Sequence, residues 1–331
     1  MSASWGDSRV STASPVWGGG LRRFPVVGHG PFGRGGLPDT GGGLPTASWE
    51  VDHCPSGFVW RRGFPMRRDG SGAVEGRRSD LVRAVALLAA VVLQAVAGAI
   101  GGSGAWGEPV GSVANSYPTL ILPGGGAFSI WTLIYVLSIV LAVRAALPRQ
   151  RRREVHRGVG WWLVAAGVLN AAWVVAFTQR WLVLAEAIIV ALLVVLCTAW
   201  VKVTGHPAGG WADRLLLHTP IGVYVGWVGV ATVSGAASTG VALGITPPPS
   251  VSVPLAVLAV LGTAVAAVVA VVWFFAVLGF AAAVAWALAW IAVATPSWPV
   301  AAAAIVGVLS VVSAAVLSFW RSRDRVRAAW G

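Results

Sequence analysis

The sequence predicts an all-α, polytopic membrane helix bundle of about eight transmembrane helices, and three observations carry that reading. Charge is sparse between Leu81 and Trp320. Apolar runs of about 20 residues follow one another through this region, and that is the length a helix needs to cross a bilayer core of roughly 30 Å. The arginines gather at the ends of these runs, as in loops retained on the cytoplasmic side. A soluble domain cannot be built from such a stretch.

The composition agrees, with 56% hydrophobic residues, 11% charged residues and 19 Trp in 331 residues. A net charge of +12 suggests nucleic acid in a soluble protein. Here the arginines flank hydrophobic spans, so anionic lipid head groups are the expected partner and nucleic acid is not. The two cysteines, Cys54 and Cys197, form no disulfide framework and no zinc spacing. No cofactor is expected.

Residues 1–80 differ in kind. Gly, Pro, Ser and Arg dominate, as in Gly18-Gly19-Gly20 and Gly41-Gly42-Gly43, and no helical or strand period persists. Such a stretch buries too little apolar surface to offset its ordering entropy, so a disordered tail is expected. It has no apolar core of a signal peptide. The two methionines are Met1 and Met66, and a translation start at Met66 competes with a genuine disordered cytoplasmic tail.

Hydropathy places spans near 83–102, 127–147, 159–178, 181–201, 215–240 and 300–320. Residues 254–294 form one further run of about 41 residues, roughly 60 Å as a single helix. That is twice the bilayer, so the run should fold into two spans with a turn around 272–275. The positive-inside rule tests the count. Arg77, Arg78 and Arg83 put the start of span one in the cytoplasm. Arg149 to Arg153, Lys202, Arg214 and the group Arg321, Arg323, Arg325 and Arg327 must then share that side. Eight spans satisfy every cluster; seven do not. Both termini are therefore expected in the cytoplasm of a bacterial cell, with a basic tail at 321–331.

Aromatic residues recur at helical spacing inside three spans. Phe128, Trp131 and Tyr135 stand at i, i+3 and i+7, as do Asn170, Trp173 and Phe177. Tyr224 and Trp227 follow Pro220 on one face of span five. Trp161, Trp162, Trp181, Trp200, Trp211, Trp298 and Trp320 fit an interfacial belt instead. Asn170 alone would read as an interhelical hydrogen-bonding group, worth about 0.6–2 kcal/mol. The depths argue for more. At a 1.5 Å rise, Asn170 and Trp173 lie roughly 17–21 Å from the cytoplasmic edge and Tyr224 and Trp227 roughly 14–18 Å. Trp131 lies about 6–9 Å below the outer surface. A flat apolar ligand between stacked rings accounts for all three sets.

Glu186 is the one carboxylate well inside a span and is a candidate coupling group. His218 reads as a capping or interfacial residue rather than a metal ligand. No hydrolase, metalloprotease, P-loop or dinucleotide motif occurs, and Gly124-Gly125-Gly126 has neither the strand nor the Lys of a phosphate cradle. No catalytic constellation is present, so an enzyme is not expected. Small residues in the last spans (Gly262, Ala266, Ala267; Ala301 to Ala304, Gly307) serve close helix packing or a homodimer.

These stretches resemble the tryptophan-rich sensory protein family, also called the translocator protein or peripheral benzodiazepine receptor family. Pro123 through Phe128, Trp131 and Leu133-Ile134-Tyr135 is similar to the end of its W-x-P-P-x-W-x-F-x-x-x-W-x-x-L-Y block. Leu169-Asn170-Ala171-Ala172-Trp173, with Phe177 and then Leu184-Ala185-Glu186, is similar to its L-N-x-x-W and A-L-x-[DE] blocks. Leu215-Leu216, Pro220, Tyr224, Trp227 and Ala231-Thr232 resemble its last block with a small shift. Val174-Val175 stand where the family has prolines, and Ser234-Gly235 where it has L-N. The resemblance covers about 83–240 and implies a five-helix unit (81–240), leaving three additional helices (241–320). It also implies a pocket for tetrapyrroles, sterols or similar flat ligands, and a role in transport or sensing. Phe128, Trp131, Tyr135, Asn170, Trp173, Phe177, Tyr224 and Trp227 would line that pocket. A proton-coupled transporter of small metabolites using Glu186 is the alternative.

Overall fold

In the computed structural model of the protein, residues 70–331 are described, with side chains from 76 onward. The order is α1 (Gly70–Ser103), α2 (Val110–Asn115), a 3-10 turn (Gly125–Ser129) leading into α3 (Ile130–Ala146), α4 (Glu154–Thr178) and α5 (Leu182–Thr204). Next come α6 (Trp211–Asp213), a π-helical turn (Arg214–His218), α7 (Thr219–Ala242), α8 (Pro249–Trp273), α9 (Leu278–Ala294), α10 (Trp298–Arg321) and α11 (Arg325–Trp330). The described residues contain no strand. Seven helical segments are long and apolar enough to cross a membrane, and α9, with 17 residues, is apolar but shorter.

The long run expected to fold back does so. Helix α8 ends at Trp273 and α9 begins at Leu278, with Ala276 between them at positive φ. Helix α9 still travels the length of the bundle. Its start packs beside Trp200 and Gly222, and Trp290 near its end receives a backbone hydrogen bond from Gly124. Seventeen residues rise about 26 Å, at the lower end of what a span requires. The described residues thus traverse the bundle eight times.

Five helices close a ring: α1 touches α3 and α4, α4 touches α5, α5 touches α7, and α7 returns to α3. The remaining three are layered outside it, with α9 on α7 and α10 packed against both α8 and α9. Small side chains allow this packing. Gly307 sits against Leu288 and Ala264, and Ala267, Ala303 and Ala304 are buried, while Gly262 and Ala266 stay exposed.

One end of the bundle collects the basic clusters. Asp80, on α1, receives hydrogen bonds from Arg83 and from both arms of Arg157, and Arg83 also donates to the Arg151 carbonyl. Asp213 is held by Arg144 and, in bidentate fashion, by Arg153, and also accepts from the Gly209 backbone N–H. Helix α11 folds back to the α8–α9 turn at the same end, its Arg327 and Ala328 carbonyls accepting from Ala276 and Val277.

Three expectations are corrected. The tail was expected to run to residue 80, but α1 starts at Gly70; charge pairing at Asp80, invisible to hydropathy, anchors this extra helix. Trp200 does not belong to a belt. It is 3% exposed, because it shares the buried α5 face of Leu192, Leu196 and Ala199, and it stacks on Phe280 at 4.6 Å. His218 is neither cap nor interfacial group: it is buried, and neither ring nitrogen has a hydrogen bond. The disordered-tail and Met66-start readings for residues 1–69 lie outside the described residues.

Candidate functional site

Trp131 is the hub of the bundle interior. Its ring stacks on Trp173 of α4 at 5.4 Å and on Tyr135 of its own helix at 5.8 Å. It also meets Trp227 at 6.1 Å and Tyr224 at 6.2 Å edge-on. Phe177 extends the stack from Trp173, and Phe128 stands edge-on to Trp227. Each such pair contributes about 0.5–1.5 kcal/mol beyond area burial. The helical spacing explains the assembly: one face each of α3, α4 and α7 points at a shared centre.

Seven of the eight expected aromatic and amide positions belong to this cluster; Asn170 lies one turn below Trp173. Asn170 is wholly buried, and neither its amide nitrogen nor its oxygen has a partner. The indole N–H groups of Trp131 and Trp227 are likewise unpaired. Tyr224 is satisfied, donating to the Gln94 side chain of α1 at 3.2 Å. Gln94 was missed by sequence reasoning, although it is the one strongly polar side chain midway along the apolar run of α1.

The cluster separates two spaces where one pocket was expected. The outer one is a cleft of about 400 Å³ between α1 and α3, walled inside by Phe128, Trp131, Tyr135 and Trp173. Its rim includes the exposed Thr132, Val136 and Ile139, so it opens sideways from the ring. Gly98 forms its floor, and a Cβ there would collide with the Tyr135 ring. The inner pocket is smaller, about 50 Å³, and lies behind the same rings near the end opposite Asp80, Asp213 and their arginines. Phe128, Trp131, Trp173, Phe177 and Trp227 line it together with Glu186. Among the described residues no other ionisable group lines that pocket. Tyr224 and Asn170 line neither space.

A lid covers the inner pocket. The segment after α1 carries α2 across the bundle end, and Ala114, Leu122 and Pro123 close the space. Two ties hold it. Ser234 of α7 donates to the Ile121 carbonyl at 2.9 Å. Arg180, at φ 60° in the α4–α5 turn, binds Glu108, donates to Tyr117 and Ser116, and lies over the Tyr117 ring. The Arg180 guanidinium hydrogen-bonded to Glu108 holds that carboxyl below the usual carboxylate range.

The glycine run beneath the lid also has a use. Trp290 lies so close to Gly126 that any Cβ there would enter the ring, and Trp286 donates its indole N–H to the Ala127 carbonyl at 3.1 Å.

The sequence pattern of the family described as TSPO-like protein matches residues 80–318, which is most of the chain. The chain belongs to that family. No curated protein and no solved structure matches the chain. The matched region runs from the first turns of α1 into the last turns of α10. For this TSPO-like chain the match extends past the five-helix unit into the last three helices. Pro220 cannot donate a backbone hydrogen bond, and the turn before it widens to π geometry. The Thr219 hydroxyl donates to the Arg214 carbonyl across that widened turn.

Proposed function

We propose that this integral membrane protein of the TSPO-like family is a ligand-binding sensor or carrier for flat hydrophobic molecules, tetrapyrrole-like or sterol-like. The cleft between α1 and α3 is where they bind. One observation carries this reading: a space of about 400 Å³, walled by stacked rings, that opens sideways where a lipid-dissolved molecule travels. Ligand pockets generally measure about 300–1,000 Å³, so the cleft is large enough and the inner pocket is not. The Trp131, Tyr135 and Trp173 rings offer a flat apolar face, and sequestering a planar ligand there needs few polar contacts. At the other end, the exposed Arg149, Arg152, Arg321, Arg323 and Arg325 suit anionic head groups of the cytoplasmic leaflet, which supports the reading that both ends of the bundle's chain lie on that side.

The test is tryptophan quenching by protoporphyrin IX in detergent. Saturable quenching is expected, weakened at least tenfold in affinity by Trp131→Ala and by Gly98→Leu, which fills the cleft. Trp161→Phe, on an exposed face, should leave the affinity unchanged. Equal affinity in all three variants would remove the cleft from consideration.

A further inference from the structure

The inner pocket has a chemistry that the cleft lacks. Glu186 is its single ionisable residue, and its carboxylate has neither an ion pair nor a hydrogen bond among the described residues. The cation at this end, Arg180, is already committed to Glu108. A carboxylate within a span is costly unless something positive pairs with it.

The surroundings are of one kind. The rings of Phe128, Trp131, Phe177 and Trp227 carry negative π faces, which attract cations and disfavour anions. The polar wall adds acceptors: the Ser234 and Thr239 hydroxyls spend their hydrogens on the Ile121 and Leu182 carbonyls, leaving oxygen lone pairs free. Glu186 also approaches α7: a Cβ on Gly235 would stand 2.6 Å from Glu186 Oε2, so the carboxylate lies against the α7 backbone.

We propose that the inner pocket binds a small organic ammonium ion, with Glu186 as its counter-charge and the aromatic rings as its cage. The space fixes the size. About 50 Å³, at roughly 10–15 Å³ for each water-sized group, holds about three to five heavy atoms, from a short primary amine to a tetramethylammonium head. The lid covers the space from above, and the apolar walls strengthen the charge pairing within. This site is separate from the cleft and takes a different class of ligand, although the two share the wall made by Phe128, Trp131 and Trp173.

Equilibrium dialysis of radiolabelled tetramethylammonium against the purified full chain in nonionic detergent tests the site. One saturable site is expected, displaced by ethylammonium at least ten times more effectively than by the neutral isostere tert-butanol. Glu186→Gln should weaken binding at least tenfold, Glu186→Asp should retain part of it, and Gly235→Ala, which displaces the carboxylate, should also weaken it. Absence of saturable binding to the wild-type chain, or equal binding in Glu186→Gln, overturns the proposal. Porphyrin quenching on the same samples separates the two readings. Lost ammonium binding with intact quenching condemns the ammonium site alone, and lost quenching with intact ammonium binding condemns the cleft alone.

Discussion

The two ends of the bundle treat their most enclosed carboxylates in opposite ways. At the arginine end, Asp80 and Asp213 are almost fully buried and each is satisfied by two arginines. Toward the lid, Asn170 and the Trp131 and Trp227 indoles are buried with nothing to bond to, and Glu186 stands without a counter-ion. Paired charges at helix ends serve the fold, because removing one partner strands the other. Unpaired groups around a cavity weaken the fold, typically by about 1–3 kcal/mol each, and a group retained at such a cost is a candidate for work on a ligand. Unpaired groups occur at the arginine end as well, where His156, His218 and Trp200 are buried without a partner, so the contrast that separates scaffold from site is that of the carboxylates.

Substitutions test the contrast by the sign of their effect. The largest change is expected from Asp213→Ala, which strands Arg144 and Arg153. It should destabilise the chain by about 3–5 kcal/mol in denaturant unfolding while leaving porphyrin affinity unchanged. A small effect on unfolding would mean that the arginine end is not the structural one. Next, Asn170→Leu removes an unsatisfied amide at similar volume, so stability should rise by about 1 kcal/mol or more. A marked loss of stability instead would show that the amide has found a partner and would blur the distinction between the two ends.

The smallest effect concerns the lid. Arg180 lowers the folded-state pKa of Glu108, so their ion pair is intact above the usual carboxylate range and is lost as pH falls through that lowered value. Backbone hydrogen exchange in 104–124, corrected for its intrinsic pH dependence, should rise on acidification and rise at neutral pH in Arg180→Ala. Unchanged exchange in both would leave Ser234 as the tie that matters.

Much of this was legible in the sequence, and for simple reasons. Span positions follow from apolar run length, and the break before Leu278 follows because no bilayer accommodates 41 apolar residues as one helix. The convergence of Trp131, Trp173 and Trp227 follows from shared helical faces placed at similar depths. Tertiary pairing is where legibility ended. Hydropathy cannot tell a buried tryptophan from an interfacial one, so Trp200 was misplaced. Nor does spacing along one helix show that Tyr224 would bond Gln94, 130 residues away. A single pocket was expected because periodicity shows which residues face inward but not how tightly their rings pack. Trp131 and its neighbours fill the centre themselves and leave space on either side.

The contact between α9 and the glycine run bears on how the helices after Ala242 should be regarded. Trp286 and Trp290 reach in from outside the ring to grip the chain where it drops from the lid into α3, a single turn before Phe128 and Trp131. The late hairpin is thus a doorpost for the chamber, so a shortened protein ending after α7 would lose the jamb on which its entrance hangs.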